Sequence, residues 1–519
     1  MVSSLNRCCS PGMCQGIMFP LPMTRLAAMA AIRIISGPDR PCCRSLCSIT
    51  HLGLTQSSYC RILKGIPHLP KNHQVISFSM KKSIHLIIVL AMLSCMVPAP
   101  YSACAASSPA RPFPQHVRYA AGTIKPGFSQ TVLDNDVRTF FDRWKADYLV
   151  SAGTSSSGIP MYRIIHSKTT PQETVSEGQG YGMIIMALMA GYDPDARSIL
   201  DGLWAFSRRH PSSVDNRLMA WQVPENPDTG IDAAFDGDAD MAYALLMADN
   251  QWGSSGTVNY RQEAHRLLAA ILESMVGPQS HLPMLGDWIS REGPPYSQYT
   301  PRSSDFMPDH FRAWYDITKN SAWLQVLHAT QAAISQVQTD YSPQTGLLPD
   351  FLVPVSSTDH RLQPAPANFL EGPDDGHYEY NAGRDPWRIG TDALLNNDAV
   401  SLAQTRKIAD WIHSTTDGQA HNIKDGYFLD GRPLRPDDDF TTFFAAPMGV
   451  AAMTRPEYQA FLDDIYTHVS KRHEDYYEDS VTLLCMEVMT GNFWAPTPPP
   501  RAGQRKMAIP PVTMLLLNR

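Results

Sequence analysis

From Thr131 to Thr490, apolar residues return at three- and four-residue steps in one segment after another, while alternating strand-like patterns are scarce. Over Thr131–Val150 the series is Leu133, Val137, Phe140, Phe141, Trp144 and Tyr148, which lines one face of a helix. The same spacing predicts helices over Glu177–Ala190, Asp195–Arg209, Asp238–Asn250, Tyr260–Met275 and Ala322–Val337. Further helices are expected at Ala399–His413, Phe443–Ala452, Pro456–Ser470 and Tyr476–Thr490, with shorter turns near Pro308–Thr318 and Ala382–Leu395. Helices in that number, separated by long Pro- and Gly-rich loops, argue against a parallel sheet and for an all-α chain, either a helical toroid or a large bundle. The loops Trp221–Ile231, Pro278–Phe306 and Ser342–Tyr380 are rich in aromatics and acids, and loops of that length tend to be functional.

The charge is unevenly spread. Residues 1–105 carry ten Lys and Arg against one acid, Asp39, so of a net charge of −7 about −16 falls on residues 106–519. A body that acidic is not built to meet phosphates, and nucleic acid is excluded as its partner. Nine of the ten cysteines also precede residue 105, leaving only Cys485 in an apolar helical context, a buried structural thiol. One thiol allows neither an internal disulfide nor a cysteine metal site.

Met80-Lys81-Lys82, the apolar run Ile84–Val97 and the small residues Ala103-Cys104-Ala105 make the three parts of a secretory signal, with cleavage expected after Ala105. The run is short for a membrane span. Leu93-Ser94-Cys95 offers a rival lipoprotein site, with Met92 where Leu is usual. Either way the mature chain is exported, secreted or periplasmic. Residues 1–79 read as an upstream extension outside the fold, 106–129 as an irregular lead-in, 130–494 as one domain and 495–519 as a Pro-rich tail.

Three acidic stretches stand out within the domain. Ser176-Glu177-Gly178-Gln179-Gly180-Tyr181-Gly182 sets a carboxylate among glycines before the apolar block Met183–Ala190. The glycines leave backbone room for something bulky to approach. Glu177 is either an ordinary helix-start acid after an N-cap Ser176, or a general acid. For the second role, burial against Tyr181 and a neighbouring carboxylate such as Asp236 must outweigh the helix dipole and raise its pKa.

Asp236-Gly237-Asp238-Ala239-Asp240 begins like a calcium loop, but Met241 and Met247 stand where that loop needs Gly and Glu. Acids at a helix start are the plainer reading. The third stretch surrounds Glu371. The aromatics Trp221, Trp288, Tyr380, Tyr476 and Tyr477 fall in loops or at helix starts, and rings beside carboxylates suit the flat apolar faces of a sugar chain.

Over roughly residues 130–494 the chain resembles glycoside hydrolase family 8. Ser176–Gly182 resembles the family's acid-bearing segment, which places the general acid at Glu177. Ala234-Phe235-Asp236-Gly237-Asp238, continuing through Met241-Ala242 to Ala248 and Trp252, resembles its signature, with Phe235 where Ser or Thr is usual. That resemblance implies that Asp236 holds the sugar at the cleavage point and favours its distorted ring. Met219-Ala220-Trp221 and Gly286-Asp287-Trp288 resemble its sugar-stacking positions, and Tyr380-Asn381-Ala382-Gly383-Arg384 the Tyr and Arg of its catalytic centre. Tyr476-Tyr477 through Leu484, then Thr490-Gly491-Asn492-Phe493, resembles its closing helix. The resemblance implies an (α/α)6 barrel with an open groove and inversion at the anomeric carbon.

In the better-known branch of the family an Asp acts as base where this chain has Asn381. The chain looks like a second branch, which has Asn there and a Glu on an upstream loop, and Phe369-Leu370-Glu371-Gly372 supplies the candidate Glu371. Glu379, Asp374 and Asp375 compete for the role. Inversion implies carboxyl groups about 6.5–9.5 Å apart, with a water between, and needs neither metal nor organic cofactor. The expected partner is a linear polysaccharide met by a monomer: β-glucan first, chitosan next because the body is acidic, then xylan. A sugar-binding relative without hydrolysis is the reading from another class.

Overall fold

The computed structural model describes residues 108–223, 230–437 and 440–498. The signal segment with Cys95 and Ala105, the upstream extension, and the tail beyond residue 498 lie outside the described residues.

Twelve α-helices are present among the described residues: α1 (Gln130–Tyr148), α2 (Ser176–Leu188), α3 (Ala196–Arg209), α4 (Phe235–Trp252), α5 (Tyr260–Ser274), α6 (Pro308–Thr318), α7 (Ala322–Asp340), α8 (Asp385–Asn396), α9 (Ala399–Thr415), α10 (Thr442–Ala452), α11 (Gln459–Val469) and α12 (Tyr476–Thr490). Three two-stranded antiparallel ribbons interrupt them: β1 (Leu149–Thr154) with β2 (Pro160–Ile164), β3 (Thr174–Val175) with β4 (Gln222–Val223), and β5 (Leu352–Pro354) with β6 (Leu362–Pro364). None of the described helices is long and apolar enough to cross a membrane.

The helices divide by burial. α2, α4, α10 and α12 are buried on nearly every side, whereas α1, α5, α9 and α11 bury one stripe and face solvent with the rest. The buried four, with α6 and α8, pack in sequence, α2 on α4, α4 on α6, α6 on α8, α8 on α10, α10 on α12 and α12 on α2. Each of the others leans on one of these: α1 on α12, α3 on α2, α5 on α4, α7 on α6, α9 on α8 and α11 on α10.

Glycines set the closest approach. A Cβ at Gly237 on α4 would stand 2.3 Å from Ser176 Oγ, and one at Gly178 on α2 would meet the Tyr476 hydroxyl at 2.8 Å. The room expected beside Glu177 is therefore taken up by neighbouring helices rather than kept for a ligand.

Several boundaries differ from expectation for local reasons. The segments read as turns near 308 and 385 are full helices with proline at the first position (Pro308) or the second (Pro386), which fits the first turn because its missing N–H has no intrahelical partner there. α4 starts three residues earlier than its apolar spacing indicated, which brings Asp236 into its first turn. Pro456–Tyr458 forms a separate 3-10 turn before α11, and Ser176 lies inside α2 with Val175 as N-cap. Leu149 and Val150 leave α1 for the first ribbon.

The lead-in is irregular, and it is anchored. Backbone N–H groups of Ala110, Phe113, Val117, Ala120 and Ile124 donate to the carbonyls of Gln251, Ala190, Gly491, Leu394 and Met453. Those carbonyls lie at or just beyond the C-termini of α4, α2, α12, α8 and α10, where helices have acceptors to spare. At the opposite ends, the N-cap residues of α2, α4, α6, α8 and α10 make no side-chain cap bond, which leaves the positive dipole ends to be met by other groups.

Candidate active site

Two of those N-termini carry the acids. Glu177 projects from the first turn of α2 and Asp236 from that of α4, and Arg384, immediately before α8, joins them. One guanidinium nitrogen of Arg384 donates to Glu177 Oε2 at 2.7 Å and to Asp236 Oδ2 at 2.8 Å. Its other terminal nitrogen donates to Ser304 Oγ at 2.8 Å and to Asn381 Oδ1 at 3.1 Å. Tyr476, at the start of α12, donates its hydroxyl to Glu177 Oε1 at 2.9 Å.

Burial pushes the Glu177 carboxyl up to about 7, and the Asp236 charge adds to this against the opposing pull of Arg384. Burial acts on Asp236 in the same sense, but Arg384 and Arg302 outweigh it and hold that carboxyl below its usual range. Two neighbouring carboxyls are thus driven apart, one towards the protonated form at neutrality and one towards the ionised form. A carboxyl so poised can give a proton to a leaving oxygen.

The three acids of the Asp236 stretch diverge. Asp238 accepts the backbone N–H of Met219 at 3.2 Å, fixing the approach to Trp221. Asp240 pairs with Arg388 at 2.6 Å and with His310 at 2.8 Å, within the core. Ribbon pairing of β3 with β4 and the bond from Ser176 N–H to the Trp221 carbonyl (2.8 Å) bring Trp221 beside the start of α2. Ala234 bridges Gly286, and the Asp287 carboxylate accepts Ala233 N–H at 2.8 Å, which ties Trp288 to the start of α4. Both indoles are exposed, 38% for Trp221 and 36% for Trp288.

Glu371 sits on a turn and keeps 46% of its side chain exposed. Asn381 Nδ2 donates to Glu371 Oε2 at 2.8 Å and to Asp350 Oδ2 at 3.2 Å, while Arg302 reaches Glu371 Oε1 at 3.2 Å and Asp236 Oδ2 at 3.5 Å. Two charged or amide links therefore join Glu371 to Glu177, one through Asn381 and Arg384, the other through Arg302, Asp236 and Arg384. The competitors are otherwise engaged. Asp375 is buried and accepts the N–H groups of Leu370, Glu371 and Gly372, while Arg435 pairs with Glu379 and, at 3.5 Å, with Asp374.

Tyr476 and Arg384 were expected to face a sugar, but each is only 1% exposed. They hold the carboxyls, because a Glu177 side chain only 17% exposed needs both a donor and a counter-charge. Tyr380 and Tyr477 are half-buried. Both stack on Phe443, and Tyr477 donates to the Tyr380 carbonyl at 2.7 Å.

Sequence reading missed Arg302, Ser304, Asp305 and Asp350. Asp350 accepts the N–H groups of Glu379, Asn381 and Ala382 and so shapes the turn before Arg384. Arg302 and Asp305 come from a long loop without periodicity, and only their meeting with Asp236 across sequence distance gives them meaning.

The Glycosyl hydrolases family 8 model matches residues 119–491. A beta-glucanase of Niallia circulans is 40% identical over 421 residues, covering 80% of this chain and 98% of the relative. An endoglucanase of Bacillus sp. (strain KSM-330) is 36% identical over 75% of this chain and 82% of its own. The solved apo structure of a Beta-1,3-1,4-glucanase from Paenibacillus sp. X4 superposes with a TM-score of 0.70 at 40% identity, covering 75% of this chain and all of the other. With a matched region that takes in Glu177, Asp236, Glu371 and Arg384 alike, the chain belongs to glycosyl hydrolases family 8 and is a glycosidase.

Proposed function

We propose that this chain is an exported, endo-acting β-glucan hydrolase that cuts internal β-1,4 linkages of an unbranched chain with inversion. Glu177 protonates the departing glycosidic oxygen, Glu371 takes a proton from the attacking water, and Asp236 holds the sugar at the cleavage point. The observation that carries the reading is the pair Glu177 and Glu371, tied through Asn381 and Arg384, with one carboxyl pushed up to about 7 and the other open to solvent. Asn381 cannot accept a proton from water, but its amide donates to Glu371, which supports the branch of the family with Asn there and the base on the upstream loop.

The pairwise packing of six helices, running from α2 through α12 and back to α2, supports an (α/α)6 barrel with the acids at the N-terminal ends of its inner helices. Trp221 and Trp288 offer exposed rings to neighbouring sugars. Relatives named beta-glucanase, endoglucanase and Beta-1,3-1,4-glucanase favour a cellulose-like or mixed-linkage substrate. The acidic body keeps chitosan as the second choice.

Reducing-end release from lichenan, carboxymethylcellulose and chitosan, by protein beginning at Ala106, tests the assignment. Lichenan or carboxymethylcellulose should be cut faster than chitosan; a preference for chitosan replaces the substrate, and no release from any of the three leaves sugar binding alone. Glu177→Gln should lower turnover by about 10²–10⁴-fold while sparing binding. Glu371→Gln should do the same and regain rate with azide; full activity moves the base to Glu379 or Asp374.

A further inference from the structure

Glu371 is half-exposed, and although Asn381 and Arg302 hold its carboxylate, where that carboxylate stands also depends on the turn that carries it. From within, Asp375 grips that turn through three backbone N–H groups at 2.7–3.1 Å. Asn368, in a left-handed conformation at φ 59°, closes it by donating to the Gly372 carbonyl at 2.7 Å. From the other side the hold is Tyr296. Its hydroxyl donates to the carbonyl of Phe369, two residues before Glu371, at 2.9 Å, and its ring meets Phe369 edge-on at 5.1 Å. The same ring stands edge-on to Trp288 at 5.2 Å and 80°. Phe369 rests in turn on buried Phe351 at 6.0 Å.

Trp288, Tyr296 and Phe369 thus form a continuous row of rings from an exposed indole to the turn bearing Glu371. Edge-to-face contacts of this kind have geometric preferences. A sugar that fixes the indole fixes the tyrosine beside it, and the tyrosine fixes a carbonyl on the base-bearing turn. We propose that Tyr296 is a positioning residue that links occupation of Trp288 to the placement of Glu371. The inference rests on the reading of Glu371 as base and Trp288 as a sugar platform. Its consequence is that a substrate long enough to cover Trp288 is turned over faster, as well as bound more tightly, than one that leaves it open.

The test measures kcat and KM for wild type, Tyr296→Phe, Trp288→Ala and the double variant on mixed-linkage oligosaccharides of increasing length, with and without azide. Tyr296→Phe keeps the rings and removes only the hydroxyl. It should lower kcat roughly tenfold on long substrates, with KM and melting temperature little changed, because small misplacements of a reacting group cost rate. Azide should recover part of that rate. The anion attacks the anomeric carbon without losing a proton, the C–O bond breaks as the C–N bond forms, and Glu177 still protonates the leaving oxygen, so a glycosyl azide accumulates. Trp288→Ala should add little to the kcat loss of Tyr296→Phe.

An equal loss on short and long substrates, no recovery with azide, or fully additive effects of the two variants would overturn the link. Glu371→Gln, run alongside, separates the failures. If it is inactive and rescued while Tyr296→Phe behaves as wild type, only the link fails; if it is fully active, the base assignment itself fails.

Discussion

Removing the Tyr476 hydroxyl is the sharpest test of Glu177 as the proposed proton donor. Tyr476 is 1% exposed, and its hydroxyl gives Glu177 Oε1 a hydrogen bond of 2.9 Å, while Arg384 serves the other oxygen at 2.7 Å. A donor favours the ionised carboxylate over the neutral acid, so its loss moves the pKa upward. Hydrogen bonds to charged groups contribute about 1.5–3 kcal/mol and neutral ones about 0.5–1.5, a difference of about 1–1.5 kcal/mol between the two forms. At about 1.4 kcal/mol per pK unit, Tyr476→Phe should raise Glu177 by roughly one unit above its value of about 7. The assay is the pH profile of kcat/KM on lichenan, whose high-pH limb reports the essential acid of the free enzyme. That limb should move roughly one unit upward, leaving the enzyme active at higher pH than wild type. A limb that stays in place or moves downward would refute Glu177 as the titrating acid.

Arg302→Met removes the cation between Asp236 and Glu371 and takes from buried Asp305, already pushed up to about 7 by burial, the positive charge that most opposes that rise. Breaking a buried pair in this way costs about 3–5 kcal/mol, so both melting temperature and kcat should fall, and a variant unchanged in both refutes the bridge. Starting the chain at residue 130 deletes five backbone bonds to the C-terminal ends of α2, α4, α8, α10 and α12. At about 0.5–1.5 kcal/mol each, their loss should lower the denaturation midpoint well below that of protein starting at Ala106; equal midpoints make the lead-in dispensable.

Glu487 is fully buried on α12, with both carboxyl oxygens lacking a hydrogen-bond partner, and burial pushes its carboxyl well above the usual range. The folded chain therefore keeps a proton that the unfolded chain releases, so this contribution to stability is full below the ordinary Glu pKa and lost as pH rises through the folded value. Glu487→Met should stabilise the protein by about 1–3 kcal/mol at neutral pH and flatten that decline, both measurable by thermal melts across pH.

Helix content was legible from residues alone because three- and four-residue apolar spacing is local, and so were Glu177 and Asp236, each carried by a short contiguous stretch. The aromatics at 221, 288 and 380 stood out for a similar reason, being large rings in loops where packing did not call for them. What local sequence could not supply was which charges meet. Arg384 serving two acids and Arg302 reaching from Asp236 to Glu371 join residues tens to hundreds of positions apart. The same holds for Tyr476, whose place under Glu177 rather than against a sugar follows from α12 packing on α2. Spacing along the chain determined which faces are buried; only the packing of separate helices decided which buried carboxyl keeps its proton, because that depends on the dielectric and the charges around it.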